Sequence, residues 1–201
     1  MLFRSIGARL VSAEQDLLLV SKKAQAIRFH ATDEALRPMG RATSGVIGMR
    51  FANGDELLGM HVVRDGADVL VATSGGYAKR TPAGQYPVKG RGGMGVRTAQ
   101  IVAARGELVG ALMVDADDEV FAITSSGGVI RTAAAEVKES SRQTMGVRLM
   151  NLAAGDSLVA IARNAESAGA EMNGDEAGDE PAGEAPEGAG DRDGGEPEAT
   201  E

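Results

Sequence analysis

The residues of this 201-residue sequence that could do chemistry are cations, and they recur. Arg28, Arg80 and Arg131 follow one another at steps of 52 and 51, with Lys79 beside the second. Arg41, Arg91 and Arg142 form another series at steps of 50 and 51. Each is followed by Gly-Val, at Gly45-Val46, Gly95-Val96 and Gly146-Val147, and Arg50, Arg97 and Arg148 lie close behind. A guanidinium stays charged and presents a planar fork that fits phosphate oxygens. Such a series suits polyanion binding and is unsuited to proton transfer. Duplex DNA carries one charge per about 1.7 Å, so a curved basic track would hold it without reading sequence. Bending 20–30 base pairs by 40–90° costs roughly 1–6 kcal/mol, which many phosphate contacts offset, as in architectural wrapping. The plainer alternative is ordinary solubilising surface charge.

Lys89, Gly90, Arg91, Gly92, Gly93, Met94 and Gly95 make a basic glycine-rich loop. It formally contains G-x-G-x-x-G, but a dinucleotide site needs a strand before it and a helix after it. Tyr86-Pro87-Val88 upstream and Val96-Arg97-Thr98 downstream do not supply them. The loop reads either as a phosphate-contacting loop or as a structural turn. Asp115-Ala116-Asp117-Asp118-Glu119 lacks the glycine and distal glutamate of a calcium loop and reads as a solvated turn. His30 and His61 have no nucleophile or metal-ligand partner at a recognisable spacing. No phosphate-binding G-x-x-x-x-G-K-[ST] is present. Tyr77 and Tyr86 read as packing or surface residues. The expectation is no catalytic or metal residue and no cofactor in this chain.

The elements that must position these cations repeat with them. Val69-Leu70-Val71-Ala72-Thr73-Ser74-Gly75-Gly76 resembles Val120-Phe121-Ala122-Ile123-Thr124-Ser125-Ser126-Gly127-Gly128, and an earlier copy starts at Leu17-Leu18-Leu19-Val20. Short apolar runs closed by turn residues predict strands, and Gly-Gly between two of them predicts a hairpin. The first copy has Lys22-Lys23 there, which predicts a different turn. After each hairpin comes a polar loop with the Arg…Gly anchor, then a further strand pair, as in residues 107–114. About four strands per 51 residues predict propeller-type blades that must stack to bury their faces. Short helical passages are expected around residues 33–39, limited by Pro38, and 133–140. Ile6-Gly7-Ala8 repeats Val109-Gly110-Ala111, so the chain is expected to open in the last part of an upstream blade.

The predicted organisation is all-β. Residues 1–16 end a truncated blade, blades follow at 17–68, 69–119 and 120–164, and residues 165–201 form a disordered acidic tail. Residues 1–164 hold 20 Lys and Arg against 16 Asp and Glu, whereas the tail holds 13 acidic residues against Arg192 alone. The tail is too polar to offset its ordering entropy. It either solubilises the chain or competes for the basic surface. Cysteine is absent, which excludes disulfides and thiolate sites. No apolar run nears the roughly 18 residues of a membrane span, and no secretory signal is recognisable. A cytoplasmic protein without a membrane partner is expected.

Several longer stretches resemble the C-terminal region of DNA gyrase A subunits, in an actinobacterial style. They are Ala31-Thr32-Asp33-Glu34-Ala35-Leu36-Arg37-Pro38-Met39-Gly40-Arg41, Tyr86-Pro87-Val88-Lys89-Gly90-Arg91-Gly92-Gly93-Met94-Gly95-Val96, Gly146-Val147-Arg148-Leu149-Met150-Asn151-Leu152 and Ile161-Ala162-Arg163-Asn164. The resemblance covers about residues 6–164. It implies a β-pinwheel whose perimeter wraps double-stranded DNA, in a bacterial nucleoid. In the holoenzyme of that family, wrapping precedes ATP-driven strand passage that introduces negative supercoils. The family's basic Gln-Arg-Arg-Gly-Gly-Lys-Gly box has only a degenerate counterpart here, with Met94 at its lysine. The true box, the strand-cleaving tyrosine and the contacts to the gyrase B partner are expected in missing upstream regions. ATP and magnesium would likewise be held elsewhere in the holoenzyme. A topoisomerase IV C-terminal domain and a β-propeller protein-interaction module remain the alternatives.

Overall fold

A computed structural model describes residues 5–164. The tail and residues 1–4 lie outside the described residues. Three hairpins form the framework: β1 (Asp16–Ser21) with β2 (Gln25–His30), β4 (Asp68–Thr73) with β5 (Tyr77–Pro82), and β8 (Glu119–Thr124) with β9 (Val129–Ala133). Each first strand also pairs antiparallel with a later one: β1 with β3 (Leu57–Val62), β4 with β7 (Leu108–Val114), and β8 with β11 (Leu158–Arg163). These match the apolar runs of the sequence.

The fourth strand comes from a different place than the sequence suggests. Residues 107–114 were expected to hold a strand pair, but they form the single strand β7. Leu-Val-Gly-Ala-Leu-Met-Val offers no turn, and Gly110 serves packing instead: a Cβ there would lie 2.2 Å from Ile161 Cγ1. The fourth strand is the two-residue piece after the Arg…Gly anchor. β6 (Val96–Arg97) pairs with β2, and β10 (Val147–Arg148) pairs with β5. The sheet orders are β3-β1-β2-β6, β10-β5-β4-β7 and β11-β8-β9. Each four-stranded sheet is thus completed by the repeat that follows it.

Alternation along the central strands stacks the sheets. Leu18 and Val20 on one face of β1 join Val69 and Val71 of β4 in one core. Leu70 and Ala72 on the other face of β4 join Val120 and Ala122 of β8 in a second. A third cluster, around Leu17, Leu19, Ile27 and Phe29, belongs to the first sheet alone, closed by Ala31 and Met49 of its own loop. The cores are mostly aliphatic, with Phe29 and Tyr86, 3% and 2% exposed, as their aromatic members. Tyr86 carries a polar group as well. Its hydroxyl bonds Thr98, whose side chain is fully buried.

Several local expectations change. The Lys22-Lys23 turn has the same backbone as its glycine counterparts. Ala24 sits at φ 63° where Gly76 and Gly127 sit at 78° and 87°. All three donate the same i→i−3 bond, Ala24 to Ser21, Gly76 to Thr73 and Gly127 to Thr124. The left-handed residue of the turn is the third, and alanine enters that region at a cost of about 1–2 kcal/mol. The helical passages shrink to one turn at residues 33–35, capped by the Thr32 hydroxyl, and a 3-10 turn at Ala134–Glu136. Within residues 1–16, expected to end an upstream blade, the described residues 5–12 contain no strand and β1 begins at Asp16.

Candidate nucleic-acid interface

The sheet orders sort the cations by position. β3, β7 and β11 contact one another across neighbouring sheets and form one side of the array. β6 and β10 lie at the opposite edge of their sheets. The second arginine series and the glycine-rich loop run along this outer edge.

The first series is committed inside the hairpins. Arg28 Nε donates to Asp16 Oδ2 at 2.6 Å, Arg80 pairs with Asp68, and Arg131 pairs with Glu119 at 2.5 Å. In each case the acid starts the first strand, and the arginine faces it from two residues along the partner strand. Arg28 also reaches the Ala83 carbonyl and Arg80 that of Val137, which ties each hairpin to the loop that follows the hairpin of the next repeat. These arginines therefore hold the fold. The signal was present in the sequence as Asp16, Asp68 and Glu119 at steps of 52 and 51. Arg131 still has an exposed side chain.

Lys79, expected to touch DNA, is 1% exposed. Its ammonium donates to the carbonyls of Ser141 at 2.7 Å and Arg142 at 2.8 Å. A cation sealed by two carbonyls in the blade interface has no access to a phosphate. Burial, aided by the Arg142 charge, lowers its pKa to about 8. The unfolded chain keeps its lysine near 10.4. Below about 8 the folded protein carries a desolvated charge. Between about 8 and 10.4 the unfolded state binds the extra proton, so stability from this group rises with pH. The unfolding free energy of the wild type minus that of Lys79→Met should therefore climb by about 1 kcal/mol per pH unit across that window. A pH-independent difference would show that the ammonium is not desolvated.

In the second series, Arg91 Nε donates to the Ala35 carbonyl at 2.6 Å and its Nη1 to that of Ile47 at 3.1 Å. Arg142 Nη1 donates to the Arg97 carbonyl at 3.1 Å. Arg41, at the matching place in the first repeat, is exposed and has no side-chain partner among the described residues. The glycine-rich loop is likewise engaged. Lys89 N–H donates to Arg28 O and Gly92 N–H to Gly48 O, while Gly93 O accepts from Arg50 N–H. Gly95, at φ 76°, lies against Ala26 so closely that a Cβ would sit 2.1 Å from its carbonyl oxygen. These backbone groups favour the structural-turn reading of the loop. Gly90 and the exposed Met94 sit at its open side.

What stays available is a set of side chains on that edge. Arg50, Lys89 and Arg97 are exposed and make no side-chain hydrogen bond or ion pair to a described residue. Arg148 is exposed and is oriented by Asn151 Oδ1 at 3.0 Å and the Tyr77 hydroxyl at 3.4 Å. Tyr77 also lies under Arg105, whose Cζ is 4.0 Å from the ring centre. The two cations hold its phenol below its usual pKa, through the Arg148 hydrogen bond first. Lys89 and Arg91 further line an open cleft of about 630 Å³ with His30 and Glu34. The acidic turn at residues 115–119 faces arginines: Arg64 meets Asp115 at 2.8 Å, and Arg163 meets Asp118 at 3.4 Å. No helix among the described residues is long and apolar enough to cross a membrane.

Comparison with known proteins gives one family. The sequence profile described as "DNA gyrase C-terminal domain, beta-propeller" matches residues 15–64, 67–115 and 118–164. The DNA gyrase A protein of Mycobacterium bovis is 66% identical over 164 residues, covering 82% of this chain and 20% of that protein. Its Streptomyces coelicolor counterpart is 64% identical over 162 residues, covering 81% and 19%. This chain thus spans about one-fifth of the length of those curated relatives. The solved "Structure of DNA gyrase A C-terminal domain" matches with TM-score 0.70 at 28% identity, over 76% of this chain and 52% of that one. A "C-terminal domain of DNA topoisomerase IV" matches with TM-score 0.71 at 18% identity, over 81% and 53%, a likeness of fold.

Proposed function

The chain belongs to the DNA gyrase C-terminal domain family, and from that premise we propose that it binds double-stranded DNA along the outer edge of its stacked sheets and bends it there. The observation that carries this reading is the row of exposed cations, Arg50, Lys89, Arg97 and Arg148, on segments that join one sheet to the next. A row that turns with the array offers phosphate contacts along a curve, and it reads shape and charge rather than base sequence. In a complete gyrase A protein this is the wrapping element. Strand cleavage, ATP hydrolysis with magnesium and contact with gyrase B belong to other regions of that holoenzyme. The bacterial nucleoid is the corresponding place of work.

Duplex binding by the full chain across a salt series tests this. Four phosphate contacts give a log–log slope near −3.6, hence a roughly 150-fold loss of affinity between about 50 and 200 mM salt. Fragments of about 100 base pairs should bind more tightly per site than fragments of about 20, because only the longer duplex follows the curve. A folded chain with no salt-dependent affinity would make the cations a solvated surface and favour a protein-interaction module.

A further inference from the structure

The internal repeat shows which side chains a blade of this kind requires, so departures from it stand out. Two residues depart in the same repeat, and they meet. Tyr77, at the start of β5, opposes Arg148 of β10. The matching pair in the first sheet is Gln25 and Arg97, and the third hairpin has Gly128 at the place of Tyr77. The second departure is Arg105. Gly106 N–H donates to Ala103 O as Asp55 N–H does to Ala52 O and Asp156 N–H to Ala153 O. Arg105 therefore stands where the other repeats carry Gly54 and Gly155.

The two departures build one cluster. Arg105 Cζ lies 4.0 Å from the centre of the Tyr77 ring, and Arg148 Cζ lies 5.8 Å from the same centre. Arg148 Nη2 donates to the Tyr77 hydroxyl, and its Nη1 to Asn151. Arg105 donates through Nη1 alone, to the carbonyls of Met145 and Gly146. Neither guanidinium has a carboxylate partner among the described residues. Elsewhere the fold matches the arginines it fixes with acids, as it does for Arg28, Arg80 and Arg163. Two cations held at one ring without a counter-charge repel each other until an anion joins them. Arg105 also lines an open cleft of about 260 Å³ with Lys138, Ser140 and Thr144, and no carboxylate lines it.

We propose that Tyr77, Arg105 and Arg148 form a single seat for one phosphate of the DNA backbone. This rests on the DNA-binding reading above and gives that interface a fixed point. Tyr77 is its positioning residue: the ring carries one guanidinium and the hydroxyl orients the other. A guanidinium held over an aromatic face keeps its N–H edge free for phosphate oxygens. Arg50, Lys89 and Arg97 have no such support, so they follow the duplex rather than locate it. The seat sets where the backbone crosses the second sheet, and the remaining cations supply attraction on either side.

The chain has two tyrosines and no tryptophan, and the buried Tyr86 serves as the reference for Tyr77. The full chain carrying ring-labelled tyrosine gives two signals by NMR, which Tyr77→Phe assigns. On titration with a short duplex the Tyr77 signal should move and the Tyr86 signal should stay, a test in which the wild type needs no substitution to fold. Tyr77→Leu leaves the net charge unchanged, yet it should weaken duplex binding roughly 5–10-fold at about 0.1 M salt and lower the log–log salt slope by about 0.9, the value of one phosphate. A tyrosine that only stabilises the fold would lower the unfolding midpoint and leave that slope intact, which would overturn the proposal. A Tyr77 signal that stays still while the duplex binds would overturn the seat and leave the interface standing. Equal movement of both tyrosines would mark a general rearrangement and overturn the seat as well. No duplex binding would remove seat and interface together.

Discussion

Gly95→Ala destabilises the protein by about 2–5 kcal/mol, while Gly45→Ala costs about 1–2 kcal/mol. Both residues are left-handed, at φ 76° and 78°, so each substitution bears the same backbone cost of about 1–2 kcal/mol. Only Gly95 lies against a neighbour, with the Ala26 carbonyl 2.1 Å from the new methyl. Relieving that overlap means moving β6 off β2, an overpacking cost of about 1–3 kcal/mol or more. Against a total of about 5–15 kcal/mol, the Gly95 variant loses a large share of the stability. Urea unfolding of both variants measures the gap. Equal losses would mean that the seated strand contributes nothing beyond backbone strain.

Replacing Arg50, Lys89, Arg97 and Arg148 together with alanine should weaken duplex binding by roughly 10³-fold at about 0.1 M salt and flatten the salt slope by about 3.6. All four side chains are exposed, so the unfolding midpoint should hardly move. Arg80→Ala should do the reverse. It leaves Asp68, 8% exposed, without its partner, and breaking a buried pair costs about 3–5 kcal/mol. Its salt slope, measured on the remaining folded protein, should match the wild type. A quadruple variant with undiminished affinity would remove these cations from the interface.

The hairpins and their stacking were legible because apolar strand-length runs recur at a fixed period, with turn residues after Thr73 and Thr124. The fourth strand was not. Val96–Arg97 and Val147–Arg148 are too short for any periodicity, and their place is set by Gly95 and Gly146 docking on a different repeat. The Ala24 turn was hidden because alanine seldom marks a left-handed position, and tertiary packing holds it there at 0% exposure. The candidate site was half legible. Recurrence located the cations but could not separate a guanidinium held by a carboxylate from one facing solvent. The recurrent acids at Asp16, Asp68 and Glu119 would have made that distinction for the first series. Lys79 looked like its neighbour Arg80, yet strand alternation turned it inward, onto the carbonyls of Ser141 and Arg142.

The exchange of strands between repeats bears on how such a chain changes over generations. Every interior repeat gives one strand backward and receives one from ahead. A genetic event that inserts or removes a single period of about 51 residues, at whatever point within the repeat it cuts, leaves each sheet that is followed by another repeat with a donated strand. Blade number can then drift by unequal recombination without passing through a misfolded ancestor. The length of the DNA path proposed above then becomes a trait that varies in whole steps.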